Sequence, residues 1–378
     1  MNPIFSDLRV IELANVLAGP SVGQFFAELG AEVIKIENRK TKGDVTRSWK
    51  LKSEHADDSV SAYFSAANSG KKSIALDIRT EEDLSVLYKL IAKSDVVIAS
   101  YKAGDAEKLK VDYQSLKSIN PKIIYGKITG YGDEDERVGY DAIIQAESGF
   151  MSMNGEPGGN SLKMPVALVD VLAAHHLKEA ILLAYINLLK SKEGSRVSVS
   201  LIDSAIASLA NQATNYLIAG HDPEKMGAEH PNIAPYGTVL KTADNKEILL
   251  AVGTNSQFQK LCEILEISEI SEDDRFKTNA SRVGNRKILN KLLIEKAKLF
   301  LSETLIHKLT SAQVPAGKLQ SVSEAFEGRD ASRMVLKSAE KRVGLRNFAG
   351  DLSFMGKSSH LSPPPKYDQD RAEILALI

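Results

Sequence analysis

LRVIELANVLAGPSVGQFFAELGAEVIKIE, residues 8–37, is the stretch that decides the class of fold. Its first part, residues 8–13, is apolar and predicts a strand, and the amphipathic residues 22–29 predict a helix that Gly30 ends. Residues 31–37 predict a second strand. A strand, turn, helix and strand joined by short links favour a parallel pair in a doubly wound α/β sheet.

The same strand and helix unit recurs along the chain. Strands are predicted at 71–77, 95–99 and 123–128, and helices at 80–93 and 106–118. We therefore predict a large α/β domain from residues 1–219 plus 321–378. The turn after the first strand contains Gly19 and Gly23 only, so the G-x-G-x-x-G fingerprint of dinucleotide binding is missing.

A change of composition and period predicts a second, smaller α+β domain at residues 220–320. It begins with a break rich in Gly, Pro, His and Asn at 220–235, after a single predicted helix at 202–217. A hairpin is predicted around Asp244 and Asn245. Helices are predicted at 257–263, 285–300 and 302–310. In the large domain, the polar residues 40–60, with Trp49, predict a surface excursion.

Composition excludes several classes of protein. The 378 residues include 48 Lys and Arg against 49 Asp and Glu, a formal net charge of -1, so a general basic surface for nucleic acid is not supported. Charged residues interrupt the longest apolar run, residues 171–189, so we expect no membrane span. The first residues carry no signal pattern, which predicts a cytoplasmic location. Cys262 is the single cysteine and excludes an internal disulfide.

Asp170 is the candidate reactive group. It stands just ahead of the predicted buried helix 171–189, where free N–H groups and the helix dipole favour an anion. Position alone also fits a helix cap, for which Asp is a preferred residue. Apolar flanks and the preceding loop with Gly155, Gly158 and Gly159, where backbone approaches ligands closely, favour a functional carboxylate.

Other catalytic motifs are missing from the sequence. His175 and His176 are adjacent, so on a helix they point about 100 degrees apart, and no H-E-x-x-H or paired Cys/His spacing occurs, so no metal site is expected. There is no phosphate-binding loop and no G-x-S-x-G elbow. Cations follow several predicted strands and together could hold a phosphorylated ligand: Arg39, Lys71, Lys72, Arg79, Lys102, Lys108 and Arg137.

A set of segments resembles the class III CoA-transferases, the CaiB/BaiF family. It comprises residues 8–37, GKKSIALD, GYDAIIQAESGFMSMNG, the Asp170 segment, SLIDSAIASLANQATNYL, HPNIAPYGTV and the Pro-Pro-Pro tail. The resemblance implies that Asp170 attacks an acyl-CoA thioester and passes CoA on through anhydride and aspartyl-CoA thioester intermediates. It implies no permanently bound cofactor, because coenzyme A enters with the acyl-CoA donor and leaves on a carboxylate acceptor. Amides of the glycine loop would stabilise the oxyanions.

The resemblance also implies a Rossmann-like large domain, an interlocked homodimer and a set of CoA contacts. Those contacts would fall on Leu17, Ala18, Asn38, Arg39, Leu76, Arg79, Ser100, Tyr101, Lys102, Lys108, Arg137 and Tyr140.

Two departures from the family pattern stand out. The usual Asn-Phe-Arg/Lys-Pro-Gly segment is Ser-Tyr-Lys-Ala-Gly here, residues 100–104, which keeps the cation and alters the nucleotide pocket. Leu17 stands where formyl-CoA:oxalate members have Gln, and their run of glycines in a mobile loop is missing, so formate and oxalate are not expected as the substrate pair. A larger carboxylate, such as succinate, glutarate or another dicarboxylate, is expected instead. The alternative is an α-methylacyl-CoA racemase-type epimerase, whose motif has a His where Tyr140 stands, and a phenol is a poor base at neutral pH. A protein that only holds acyl-CoA is a third interpretation.

Overall fold

The computed structural model describes residues 3–328, 331–338, 341–355 and 361–378. The central element is a sheet of six parallel strands in the order β3-β2-β1-β4-β5-β6. The strands are β1 (Arg9–Leu13), β2 (Glu32–Asn38), β3 (Lys71–Leu76), β4 (Val96–Ala99), β5 (Ile124–Thr129) and β6 (Arg196–Ser200). The predicted parallel α/β sheet is confirmed, and its strand order is that of a Rossmann fold.

Helices cover both faces of this sheet. In chain order they are α1 (Ala18–Glu28), α2 (Ala62–Ser65), α3 (Glu81–Ile91), α4 (Asp105–Lys108), α5 (Tyr113–Ile119), α6 (Asp141–Glu147), α7 (Phe150–Met153), α8 (Leu168–Ser191), α9 (Leu201–Ala207) and α10 (Asn211–Ala219). Helices α1 and α8 pack on one face, and α3 and α5 on the other. Alternate strand residues such as Val10 and Ile11 point to opposite cores, which is why the strands read as continuous apolar runs.

Three details differ from the sequence prediction. The helix at 202–217 is two helices, because Ala210 has a left-handed backbone (φ 49°) between α9 and α10. The helix at 106–118 is also two, with Lys110 left-handed (φ 56°) between α4 and α5. The surface excursion at 40–60 is wrong in part, since the side chains of Asp44 and Arg47 are buried there.

The chain divides into two compact units. The first comprises residues 1–151, 163–221 and 329–378, and the second 152–162 and 222–328. The division predicted from sequence differs in two places, since it assigns 152–162 to the large domain and ends the small domain at residue 320. Of the predicted large domain, residues 1–2, 329–330, 339–340 and 356–360 lie outside the described residues.

The second unit has its own apolar core around a three-stranded antiparallel sheet. Its strands are β7 (Tyr236–Lys241), β8 (Glu247–Ala251) and β9 (Ala316–Lys318), and its helices are α11 (Asn255–Ile264), α12 (Ser268–Glu272), α13 (Asn279–Gly284), α14 (Arg286–Ala297), α15 (Ser302–Ser311) and α16 (Val322–Glu327). The predicted hairpin is confirmed, with Asn245 left-handed in its turn.

The C-terminal tail returns to the first unit. It forms the antiparallel pair β10 (Val335–Ser338) and β11 (Lys341–Leu345), and it ends in helix α17 (Arg371–Leu375). Asp370 accepts a hydrogen bond from the backbone N–H of Ser73 at 2.8 Å, and Asp368 accepts one from Ala75 at 2.7 Å. The tail therefore occupies the open edge of β3. None of the described helices is both apolar and long enough to cross a membrane.

Candidate active site

The sheet reverses its winding between β1 and β4, which are neighbours although β2 and β3 intervene in the chain. Ligands of doubly wound sheets bind outside the carboxyl ends of the strands at such a point. A cavity of about 270 Å³ lies there. Its lining residues are Leu13, Asn15, Ile36, Glu37, Asn38, Leu76, Asp77, Ile78, Arg79, Tyr101 and Leu109. Four residues predicted to contact CoA are brought together here: Asn38, Leu76, Arg79 and Tyr101.

Two arginines stand at this edge of the sheet. Arg79 Nε donates to Asp77 at 2.8 Å, and Arg39 Nη2 donates to Asp83 at 3.1 Å. Each arginine side chain remains about half exposed, at 49% and 47%. Each guanidinium is therefore oriented by a carboxylate and still has N–H groups free for a phosphate.

The loops after β1 and β4 carry other members of the predicted set. Leu17 precedes the first residue of α1, Ala18, and both follow the turn after β1. The backbone N–H of Ser100 donates to the carbonyl of Leu13 at 3.5 Å, which joins the two loops. Lys102 and Lys108 follow β4 in the chain, and both residues are exposed. Lys108 lies 3.5 Å from Asp105.

Arg137 and Tyr140 do not line the cavity. The Arg137 guanidinium binds Asp135 at 2.8 Å and lies 3.6 Å from the centre of the Tyr131 ring. Tyr140 precedes α6 and is 65% exposed. The structure keeps these two residues at a separate place on the first unit. Lys71 is also displaced from its expected role, because it begins β3 and is buried against Glu12.

Asp170 is the third residue of α8, which begins three residues earlier than predicted. The N-cap residue is Ala167, whose side chain makes no capping hydrogen bond, so Asp170 is not the N-cap. No described residue donates a hydrogen bond to its carboxylate. Burial, and next the charge of Asp141, raise its pKa to about 7. Loss of water and a nearby negative charge both disfavour the ionised form of a carboxyl.

Asp141 fixes the start of α8. Its Oδ1 accepts a hydrogen bond from the backbone N–H of Val169 at 2.9 Å, and its Oδ2 accepts one from Gln145 Nε2 at 2.7 Å. Gln145 is buried, and its Oε1 accepts the N–H of Met164 at 2.8 Å. Two side chains of α6 thus hold the backbone before Asp170. Gln145 binds Met164, in the segment that leads into α8, and Asp141 binds Val169, the residue next to Asp170. The sequence analysis missed this role of Asp141; an acidic residue opening a helix with Gln four residues later was the available signal.

An aromatic pair in the 40–65 region was also missed. The rings of Trp49 and Tyr63 meet edge to face with centres 5.0 Å apart. Burial raises the pKa of the Tyr63 phenol, and the charges of Asp170, Asp141 and Asp44 raise it further. The Tyr63 phenol is therefore close enough to the Asp170 carboxylate for an electrostatic interaction between the two groups. The only sequence signal was an isolated Trp in a polar stretch.

The glycine loop belongs to the second unit. Gly155 has φ 139°, its carbonyl accepts the N–H of Gly227 at 2.9 Å, and the carbonyl of Gly159 accepts from Lys225 Nζ at 2.5 Å. These bonds hold the loop to residues 225–227 of its own unit.

Metal ligands do not gather within the described ranges: no group of three or more His, Cys, Asp or Glu there could hold an ion. His175 is exposed and His176 lies 3.7 Å from Glu179, its neighbour one turn along α8.

The parallel α/β sheet, the cavity at its switch point and the half-buried carboxylate of Asp170 are together typical of an α/β enzyme. The chain belongs to CoA-transferase family III, whose model matches residues 5–371. It is 41% identical to a succinate–glutarate CoA-transferase of Agrobacterium fabrum, over 86% of this chain and 82% of that protein. It is 32% identical to a human succinyl-CoA:glutarate CoA-transferase, over 97% and 84%.

A solved structure shows the same fold. The crystal structure of a CaiB/BaiF family protein from Brucella suis is 39% identical, with a TM-score of 0.88 over 100% of both chains. The predicted family and enzyme class are confirmed, and the protein is a CoA-transferase.

Proposed function

We propose that Asp170 carries the acyl group and then CoA during transfer. Its carboxylate attacks the donor thioester carbonyl, which gives a mixed anhydride and releases the CoA thiolate. The thiolate attacks the Asp170 carbonyl, which gives an aspartyl-CoA thioester and frees the donor acid. The acceptor carboxylate attacks that thioester, which forms a second anhydride, and the thiolate then attacks the acceptor carbonyl. CoA leaves on the acceptor and Asp170 is a carboxylate again.

The observation that carries this proposal is that no described residue donates a hydrogen bond to the half-buried carboxylate of Asp170. A side chain that served only as a cap or an ion-pair partner would be occupied by donors, and within the described residues this one is not. A carboxylate with few hydrogen bonds and a pKa raised to about 7 is a better nucleophile than a fully solvated one. One thioester is exchanged for another, so the chemistry needs no ATP.

The switch-point cavity is the proposed site for the CoA nucleotide. Arg79 and Tyr101 line it, and Arg39 directly follows the lining residue Asn38. Burial raises the pKa of the Tyr101 phenol, so it stays protonated and can donate a hydrogen bond. Leu17 and Ala18 at the start of α1 would then contact the pantetheine arm.

We propose dicarboxylates of succinate to glutarate size as substrates. Two relatives are named for transfer between succinate or succinyl-CoA and glutarate, and each matches more than four-fifths of this chain. Leu17 in place of the glutamine of formyl-CoA:oxalate enzymes agrees with an acyl group larger than formyl.

We also propose a homodimer. Apolar side chains of α8 (Leu183, Ile186 and Leu189) and of α10 (Leu217 and Ile218) are exposed. The apolar residues of α8 are not confined to one side of the helix, which is typical of a helix that packs against protein on more than one side. Exposed apolar faces of this kind mark protein interfaces. The interlocked arrangement follows from the family resemblance, and a cytoplasmic location agrees with the free, buried thiol of Cys262.

Trapping tests the mechanism. The enzyme is incubated with succinyl-CoA and then treated with hydroxylamine, and its peptides are analysed by mass spectrometry. Asp170 should become a hydroxamate only when acyl-CoA is present, and Asp203 of α9 serves as an unlabelled reference within the chain. An unmodified Asp170 during active turnover would exclude the covalent route. Deuterium incorporation at the α-carbon without CoA exchange would instead indicate an epimerase.

A further inference from the structure

The turn between β1 and α1 has an unusual backbone. Val16 has φ 70°, in the left-handed region. A β-branched residue is a marked outlier there, and such conformations persist only where the surrounding structure imposes them. The neighbouring Asn15 lines the switch-point cavity, and Leu17 is the residue that precedes α1.

A buried carboxylate from another part of the chain holds this turn. The backbone N–H of Val16 donates to both carboxylate oxygens of Asp44, at 3.3 and 3.2 Å. Asp44 is 2% exposed, and its Oδ1 also accepts the N–H and the hydroxyl of Thr46, at 3.0 and 2.8 Å. Lys35 Nζ lies 3.0 Å from Oδ2. Asp44 thus has defined partners for both oxygens.

Lys35 holds the other end of the same turn. Its buried ammonium donates to the carbonyl of Ala14 and to Glu12 Oε1, each at 2.8 Å. The Lys35 cation therefore binds the turn directly at Ala14 and through Asp44 at Val16. Both ends of the turn are fixed by one pair of opposite charges.

The network continues into the first turn of α1. Glu12 Oε2 accepts from Lys71 Nζ at 2.7 Å, and the same ammonium donates to the carbonyl of Pro20 at 2.9 Å. A Cβ at Gly23 would lie 1.9 Å from Glu12 Oε2, so glycine at that position admits the buried carboxylate beneath the helix. Side chains of strands β1, β2 and β3 thereby fix the backbone from Ala14 to Pro20.

The hydrogen bonds of Asp44 continue to helix α2. Asp44 binds the N–H and hydroxyl of Thr46, and the carbonyl of Thr46 accepts a hydrogen bond from the Ser61 hydroxyl at 2.6 Å. Ser61 caps α2, the helix that carries Tyr63. The Asp44 carboxylate therefore binds the Val16 turn directly and is connected through Thr46 and Ser61 to α2, which carries Tyr63.

We propose that Asp44 is a positioning residue for acyl transfer, holding the Val16 turn so that Leu17 and Ala18 meet the acyl-CoA in one fixed geometry. This inference rests on the proposed function in that the turn is taken to contact the acyl-CoA. A buried ion network with no task at the site would only affect stability. A positioning network affects turnover at temperatures where the protein is fully folded.

The test is a double-mutant cycle between Asp44→Asn and Val16→Gly. Asn at position 44 keeps an oxygen that can accept the N–H of Val16 and removes the negative charge. Gly at position 16 adopts a φ of 70° without steric strain. We expect Asp44→Asn to lower kcat for CoA exchange at least about tenfold in the folded protein. Val16→Gly in that background should restore part of kcat, because the turn no longer needs the carboxylate to hold it. Additive effects of the two changes would overturn the proposal.

The control is Asp95→Asn, because Asp95 accepts the backbone N–H of Arg9 at 2.8 Å at the amino edge of the same sheet. It should leave kcat within about twofold of wild type. If Asp44→Asn does not fold, Asp44→Glu keeps the charge and displaces the oxygens, and the same criteria apply. Wild-type turnover in either folded Asp44 variant contradicts the positioning role.

Two further measurements separate this inference from the mechanism. Amide hydrogen exchange in the wild-type protein should show a strongly protected Val16 N–H, and rapid exchange there would overturn the inference without any variant. Hydroxylamine labelling of Asp170 should be slower in Asp44→Asn than in wild type. Labelling at an equal rate refutes the role of Asp44 alone, whereas no labelling in the wild type refutes the role of Asp170.

Discussion

Asp141 accepts the backbone N–H of Val169, and its charge contributes to the raised pKa of Asp170, the next residue of α8. Two carboxylates with different tasks thus meet at one helix start. One is tied to the backbone and the other has no donor from the described residues. At many catalytic sites, two groups of the same kind have different pKa values and different roles because their surroundings differ.

The pH dependence of the first half-reaction follows from the Asp170 carboxyl. Its pKa is raised from 3.8 to about 7, and the nucleophile is the ionised form. We expect kcat/KM for succinyl-CoA to fall tenfold per pH unit well below pH 7 and to level off above it. Rapid-quench measurement of the succinate freed from succinyl-CoA between pH 5 and pH 9 tests this. A profile that is flat down to pH 5 would conflict with the account.

Asp141→Asn should move that profile to lower pH. The amide oxygen can still accept the N–H of Val169, while the repulsive charge beside Asp170 is gone. The apparent pKa should remain above that of an ordinary aspartate, because burial is the larger cause of the shift. The same pH series on this variant checks the prediction, and an upward shift would be the opposite result.

Asp170→Asn should stabilise the protein at neutral and alkaline pH. A carboxyl whose pKa is higher in the folded state binds its proton more tightly there, so ionisation costs stability as pH rises from about 4 to about 7. The variant should gain up to about 4 kcal/mol in free energy of unfolding at pH 8 and little at pH 4. Denaturant melts at both pH values measure the difference, which a solvated Asp170 would not produce. The variant should also lose about a thousandfold or more in exchange rate.

Arg79→Ala should weaken acyl-CoA binding without a large change in kcat. Arg79 stands at the cavity and is oriented by Asp77, so its loss removes a charged hydrogen bond and should raise KM about tenfold. Arg275→Ala is a matched control, since Arg275 is paired with Asp273 two residues earlier in the same manner and is similarly exposed. Equal KM values for both variants would argue against the cavity as the nucleotide site.

Local patterns predicted much of this architecture. The apolar strands and the continuous apolar run of α8 identified the sheet and its longest helix, and the position just ahead of that run singled out Asp170. The breaks at Ala210 and Lys110 could not be predicted, because a left-handed residue other than glycine leaves no sign in composition.

The buried charges were beyond sequence reasoning for a different reason. Lys35 and Glu12 lie within strands, and Asp44 lies in a polar stretch that resembles a surface loop. Their burial is tolerable only because they meet one another, and such pairings depend on the strand order of the sheet. The partner of Val16 therefore became visible only in three dimensions.

Transfer of oxygen tests the central claim, that Asp170 is the acyl carrier, most directly. The enzyme is given one equivalent of succinyl-CoA together with glutarate labelled with heavy oxygen in both carboxylates, and the mass of the peptide containing Asp170 is measured after a single turnover. The account predicts that this peptide gains one heavy oxygen, because the bridging oxygen of the second anhydride stays on Asp170 when the thiolate attacks the acceptor carbonyl. A peptide of unchanged mass, isolated with labelled glutaryl-CoA product, would contradict the account.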